Sequence, residues 1–220
     1  MDNIIETWNN LIEYRAQTSS WDLSQSIDKT MIDEVMSEIH RRCPSKQNRV
    51  PYEIHILDWN NTELRNNFYE FAVDRDNPNP RYNSQTLAHY LFVFVGRIGR
   101  NSNVDFSPLN GKLDERISHL EIGLVSHMLV HGLKARGISS GFCRCFDYNG
   151  PFSEAVKNGL QISSVHNIYL SLGVGIENLN DRHQTLNLHT SQLVDAWNDN
   201  GEKWYTEPKP EPNEYIKYHI

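Results

Sequence analysis

The sequence predicts an α+β fold, and three observations carry that prediction. Helical periodicity recurs along the chain, only a few strand-like runs lie between the helices, and no internal repeat or regular βαβ rhythm organises them. The strongest strand candidate, Tyr90-Leu91-Phe92-Val93-Phe94-Val95, is apolar on both faces, so it should be a central strand covered on both sides.

Ile4, Trp8, Leu11 and Ile12 share one face at helical spacing and predict a first helix over 3–16. Met31, Ile32, Val35, Met36 and Ile39 repeat that spacing. His40-Arg41-Arg42 then suits a helix C-terminus, and Pro44 stops the run. Residues 52–59 alternate as a strand, Thr62 is placed to cap a short helix reaching Ala72, and 76–80 reads as a loop. Residues 97–112 carry Gly, Asn, Ser and Pro and read as a mobile excursion. The longest helix is expected over about 114–136, closed by Gly137, and a further strand over 165–172, ending at Gly173. The chain turns polar beyond Glu177 and ends in an extended, proline-rich arm at 207–212. One domain over 1–190 with a C-terminal extension over 191–220 is the expected organisation.

Composition narrows the function classes. With 220 residues, 38% hydrophobic and 10% aromatic, the chain can bury a core and is too apolar for disorder. A net charge of −7 leaves no basic footprint for nucleic acid. No apolar run is long enough to span a membrane, and Met1-Asp2-Asn3-Ile4-Ile5-Glu6 has no basic flank, so neither a span nor a secretory signal is expected. Three cysteines, an odd number, suggest a reducing, cytoplasmic setting rather than a disulfide framework.

Familiar catalytic signatures are missing: there is no Walker loop, H-E-x-x-H, G-x-S-x-G or G-x-G-x-x-G. His127 and His131, one helical turn apart, could grip a metal ion from one face or be ordinary helix-surface or interface histidines. Cys143-Arg144-Cys145 is a weak redox or metal signal, and two cysteines so close would strain a mutual disulfide.

Separated short motifs say more. Pro44-Ser45-Lys46-Gln47-Asn48-Arg49-Val50-Pro51-Tyr52 follows the second helix and leads into a strand. A proline stops the helix there and leaves backbone groups and the Asn48 amide to hydrogen-bond a heteroaromatic ring. Arg15-Ala16-Gln17-Thr18-Ser19-Ser20-Trp21-Asp22 follows the first helix, and it supplies a cation and polar donors of the kind a phosphate needs. His131 to Asp147 closes the long helix and continues through Gly141-Phe142-Cys143-Arg144-Cys145. Ala155 to Leu160, then His166 to Gly173, and finally Asn180-Asp181-Arg182 complete the series.

In content and order these motifs resemble the nitroreductase superfamily of FMN-dependent oxidoreductases. The first is similar to that family's P-S-x-x-N-x-Q-P-W, with Val50 for the usual Gln and Tyr52 for the Trp. The second is similar to its R-x-S-x-[RK]-x-F, with Gln17 for a Ser and Ser19 for a second cation. The resemblance implies a mixed central sheet of four or five strands flanked by helices. It also implies an intertwined homodimer with two FMN sites, each built from both chains. Arg15, Gln17, Ser19 and Arg182 would hold the phosphate, and Pro44, Ser45 and Asn48 would border the ring. Arg144 and Cys145 stand where a backbone N–H contacts the flavin's reactive nitrogen. A guanidinium at Arg144 would favour negative charge on the ring and raise its potential.

The flavin carries the chemistry in this family, so no catalytic side chain is required. The resemblance implies NAD(P)H as reductant and a small electrophile, such as a nitroaromatic or quinone, as acceptor in a ping-pong scheme. Alternatives are a specialised flavin reaction (dehalogenation or flavin fragmentation) and a flavin-binding protein without turnover. The long helix is apolar over much of its circumference, and the tail carries Trp197, Trp204, Tyr205, Tyr215 and Tyr218. Both features agree with a homodimer whose tails embrace the partner.

Overall fold

The computed structural model describes residues 2–13, 18, 20–74, 81–96, 115–163, 166–178, 196–197 and 203–204. Contacts divide the chain into two units, Met1–Leu179 and Asn180–Ile220. In the second, Ala196–Trp197 pairs antiparallel with Lys203–Trp204. The loop expected at 76–80, the excursion at 97–112 and the arm at 207–212 lie outside the described residues.

The first unit is α+β. Its helices are α1 (Asp2–Glu13), α2 (Lys29–Arg42), α3 (Thr62–Phe71), α4 (Glu115–Lys134) and α5 (Phe152–Gly159). Its strands are β1 (Tyr52–Asp58), a small hairpin of β2 (Val73–Asp74) and β3 (Arg81–Tyr82), β4 (Tyr90–Gly96), β5 (Ser139–Cys143) and β6 (Ile168–Gly175). The main sheet has the order β1-β4-β6-β5. Its pairings are all antiparallel, which narrows the expected mixed sheet to an antiparallel one among the described residues.

β4 is buried along its whole length, as its two-sided apolar sequence requires. Tyr90, Phe92 and Phe94 join α2 and α4 in one core with Ile32, Val35, Ile122 and Leu129. Leu91, Val93 and Val95 join α3 and α5 in a second core with Phe68, Phe71 and Val156. The sheet is thus the middle of three layers, and a one-residue slip of β4 would exchange its two sets of side chains.

Helix ends follow local chemistry. The Asp28 carboxylate accepts the Thr30 N–H (2.9 Å) at the start of α2, and this holds its pKa below the usual value. His40, Arg41 and Arg42 fill the last turn, and the Arg136 guanidinium ties Glu38 of α2 to the chain leaving α4 (3.1 Å). Gly137 closes α4 at φ +74°, the left-handed region that favours glycine, with Ile138 N–H returning to Leu133 O (3.0 Å). Asn61, rather than Thr62, occupies the N-cap of α3. β6 runs on through Gly173 instead of ending there, because glycine is needed inside the strand for the packing described next. Among the described residues no helix is long and apolar enough to cross a membrane.

Candidate functional site

Between α1 and α2, residues 18 and 20–22 cross one end of the sheet as a strap. Thr18 N–H donates to Ser140 O of β5 (3.1 Å), Asp22 N–H to Ile176 O (2.9 Å), and Asn178 N–H to Ser20 O (3.1 Å). Trp21 bridges Glu177 and donates its indole N–H to Ser84 O (2.9 Å). Glycines make close approaches possible on this end of the sheet: a Cβ on Gly141 would lie 2.0 Å from Thr18 O of the strap, and one on Gly173 would lie 2.1 Å from Gln85 O of the turn Ser84–Leu87. One on Gly175 would meet the Trp21 ring at 2.6 Å. Asp22 is occupied locally. Its carboxylate accepts from Ser24 and Gln25, and these hydrogen bonds lower its pKa. Arg15, Gln17, Ser19 and Arg182 themselves lie outside the described residues.

The segment after α2 is a tight turn locked onto α4. Ser45 Oγ accepts the Val50 N–H (2.8 Å), and Asn48 and Val50 both adopt positive φ, 55° and 45°. That region is costly for a β-branched residue, so surrounding contacts must hold it. Two come from α4: buried Glu121 accepts the Lys46 N–H (2.7 Å), and Ser118 Oγ donates to Pro51 O (2.8 Å). The second Glu121 carboxylate oxygen is buried without a hydrogen-bond partner among the described residues. Pro44 and Asn48 are exposed and Ser45 is half-buried, so their polar atoms border solvent at the turn. Tyr52 is buried, its phenol hydrogen-bonded to Cys43, and burial pushes both pKa values up. It is a core residue.

At the far end of β5 the chain surfaces. Cys143 is buried, and desolvation pushes its thiol up to about 12, whereas Arg144 and Cys145 are exposed. The flank beyond is anchored: Asp147 N–H bonds Phe71 O (2.9 Å), Phe146 stacks on Phe71 with centroids 5.1 Å apart, and the Tyr148 hydroxyl donates to Ile168 O. Arg144 and Cys145 are therefore presented on a short exposed stretch between fixed points. The three cysteines are free thiols.

Strand register sets how these segments relate. Ser139 pairs with Gly175 beside the strap, and Cys143 pairs with Ser171, towards the end of the sheet where Tyr52 faces Gly96. From Ser140 to Arg144 is about 13 Å of extended chain at ~3.3 Å per residue. The strap residues and Arg144-Cys145 thus lie at the two ends of one edge strand. The 44–51 turn is at the opposite edge of the sheet, ~14 Å away across three strand spacings, against α4. One chain therefore does not gather all the predicted residues around one point. It gathers the strap, 139–141 and 176–178 at one end of β5, and sets the Pro44–Asn48 turn apart.

Several residues that build this arrangement were not singled out in the sequence. Glu121 and Ser118 read as unremarkable polar residues on a helix. β5 itself (Ser-Ser-Gly-Phe-Cys) lacks the β-branched run that marks a strand. Glycines at alternate positions 173 and 175 were the available signal of a close backbone approach.

A three-layer α+β unit of this topology defines the class, and comparison with solved structures specifies it. Nitroreductase A from Vibrio parahaemolyticus superposes with a TM-score of 0.62 at 14% identity, covering 88% of this chain and 77% of that one. A nitroreductase with bound FMN from Bacteroides fragilis gives 0.59 at 13% identity, over 86% and 99%. An FMN-dependent nitroreductase from Clostridium difficile gives 0.59 at 10% identity, over 96% and 98%. No family model matches the sequence, and no curated protein is significantly similar to it. The chain has the nitroreductase fold.

Proposed function

We propose that this chain is a cytoplasmic, FMN-dependent oxidoreductase of the nitroreductase type, taking electrons from NAD(P)H and passing them to a small electrophile such as a nitroaromatic or quinone. The observation that carries it is the fold itself, held over most of the chain's length in common with proteins that bind FMN. The donor set fits the group. Arg15, Gln17 and Ser19 belong in sequence to the stretch between α1 and α2, and Arg182 follows Asn178 by four residues; together they would supply two cations and neutral donors for a phosphate. The ~13 Å of chain from Ser140 to Arg144 separates the strap from the proposed ring position beside Arg144 and the Cys145 N–H.

The opposite placement of the Pro44–Asn48 turn supports a homodimer, in which each site takes Pro44, Ser45 and Asn48 from the second copy. Exposed apolar side chains on α1 (Ile4 74%, Ile5 56%, Trp8 51%) and α4 (Leu120 64%, Leu124 42%) supply surface for that association. The 191–220 extension is proposed to embrace the partner. Bound FMN supplies two-electron redox chemistry. The chain's residues anchor the phosphate, border the ring and leave its face open to two substrates in turn, so no acid–base side chain is needed.

The test is anaerobic addition of NADH or NADPH to flavin-loaded protein, followed by a quinone or nitroarene. Bleaching and then recovery of the flavin absorbance is expected. Bleaching by dithionite but by neither nucleotide would replace the reductase with a flavin carrier. Arg15→Ala and Arg182→Ala should each weaken FMN retention by ~1.5–3 kcal/mol, and unchanged retention in both would refute the phosphate assignment.

A further inference from the structure

Glu121 of α4 is 3% exposed and stands behind the 44–51 turn. One carboxylate oxygen accepts the Lys46 N–H at 2.7 Å, and the other is buried with no hydrogen-bond partner among the described residues. Around it stand the Cys43 thiol and the Tyr52 phenol, whose pKa values burial raises first and the Glu121 charge raises further, so neither supplies a positive charge. A carboxylate so placed is a poor stabiliser, because burial strips both oxygens of water and one N–H replaces only part of it.

What it does hold is a peptide plane. Ser45 C=O and Lys46 N–H belong to one planar peptide group. The carbonyl of that group accepts the Asn48 N–H at 3.1 Å, and Asn48 stands there at φ 55°. Just beyond, Ser45 Oγ accepts the N–H of Val50, which is itself at φ 45°. Backbone held in this region by several surrounding contacts is a mark of ligand-binding segments. We propose that Glu121 is a positioning residue: through the Ser45–Lys46 peptide it fixes Asn48 in the left-handed conformation that presents the exposed Asn48 amide to the flavin ring. The inference deepens the function proposed above and rests on it for the ligand, though not for the clamp.

The experiment compares Glu121→Gln and Glu121→Leu in the full chain, alone and combined with Asn48→Gly. Hydrogen exchange of the Lys46 and Asn48 amides is followed by NMR on the protein as purified, and FMN affinity by titration after flavin removal. Glu121→Gln keeps an oxygen for the Lys46 N–H, so both readouts should stay near wild type. Glu121→Leu has none: the two amides should exchange roughly tenfold faster, and FMN affinity should fall roughly three- to tenfold. Asn48→Gly accepts the positive φ but lacks the amide, so it should weaken FMN binding by itself. Adding Glu121→Leu to it should cause little further loss, because the clamp acts through Asn48. Urea unfolding reports whether each variant folds, and Glu121→Ala replaces Glu121→Leu, with the same expectations, if the latter does not. Wild-type FMN affinity in Glu121→Leu, a full additional loss in the Asn48→Gly background, or Glu121→Gln behaving as Glu121→Leu would each overturn the proposal. A wild type with protected Lys46 and Asn48 amides that binds no FMN would refute the flavin reading and the ring end of the proposal, leaving the clamp. One that binds FMN while those amides exchange freely would refute the proposal alone.

Discussion

Gly141→Ala tests the strap most sharply. The new Cβ would sit 2.0 Å from Thr18 O and 2.9 Å from Gln85 Cγ, where ordinary contact begins near 3.4 Å. The glutamine side chain can swing aside. Thr18 is backbone, and to clear the methyl it must retreat by more than an ångström, breaking its hydrogen bond to Ser140 O. Loss of that bond costs about 1 kcal/mol and the residual overpacking about 1–3 kcal/mol, so a total near 2–4 kcal/mol is expected. In urea, with a slope of roughly 1–3 kcal/mol/M, the unfolding midpoint should fall by about 1 M or more at unchanged slope. Because Thr18 stands between Gln17 and Ser19, FMN retention should weaken as well. Gly173→Ala, blocked by Gln85 O at 2.1 Å, should behave alike in stability. A wild-type midpoint in Gly141→Ala would refute the close approach of strap and sheet, and one in Gly173→Ala would refute the packing of the turn Ser84–Leu87 on β6.

Two further outcomes follow from buried groups. Arg65 is 5% exposed and its guanidinium donates to Leu57 O and Ala88 O while lying over the Trp59 ring; desolvation lowers its pKa to about 10. Arg65→Met, which strands both carbonyls, should cost about 1–3 kcal/mol in urea unfolding, and a neutral result would show that the cation's desolvation cancels its hydrogen bonds. Cys143, with its thiol pushed up to about 12 by burial, should resist a disulfide reagent at pH 8 until the chain unfolds, while exposed Cys145 reacts in the native protein. Equal rates for the two thiols would contradict the burial of β5.

The legible parts of the fold were those where local pattern and tertiary role coincide. β4 announces a two-sided burial through an unbroken apolar run, and α2 and α4 announce themselves through spacing and ends. β5 was hidden because its strand state comes from pairing with β6, not from its own residues. The candidate site divides in the same way. Motif identity and order were readable along the chain, but the placing of the Pro44–Asn48 turn and of Arg144 on opposite edges of the sheet depends on strand order, which no local pattern encodes. Glu121 was invisible for a related reason: a lone glutamate on a helix looks solvated until the turn it supports is folded over it.

The central claim is that this fold houses FMN, and the visible absorption spectrum of the purified protein tests it most directly. A yellow protein with the two-banded flavin spectrum, holding about one FMN per chain or acquiring it on reconstitution, is the predicted result. A colourless protein that gains no flavin absorbance after incubation with excess FMN and gel filtration would contradict it.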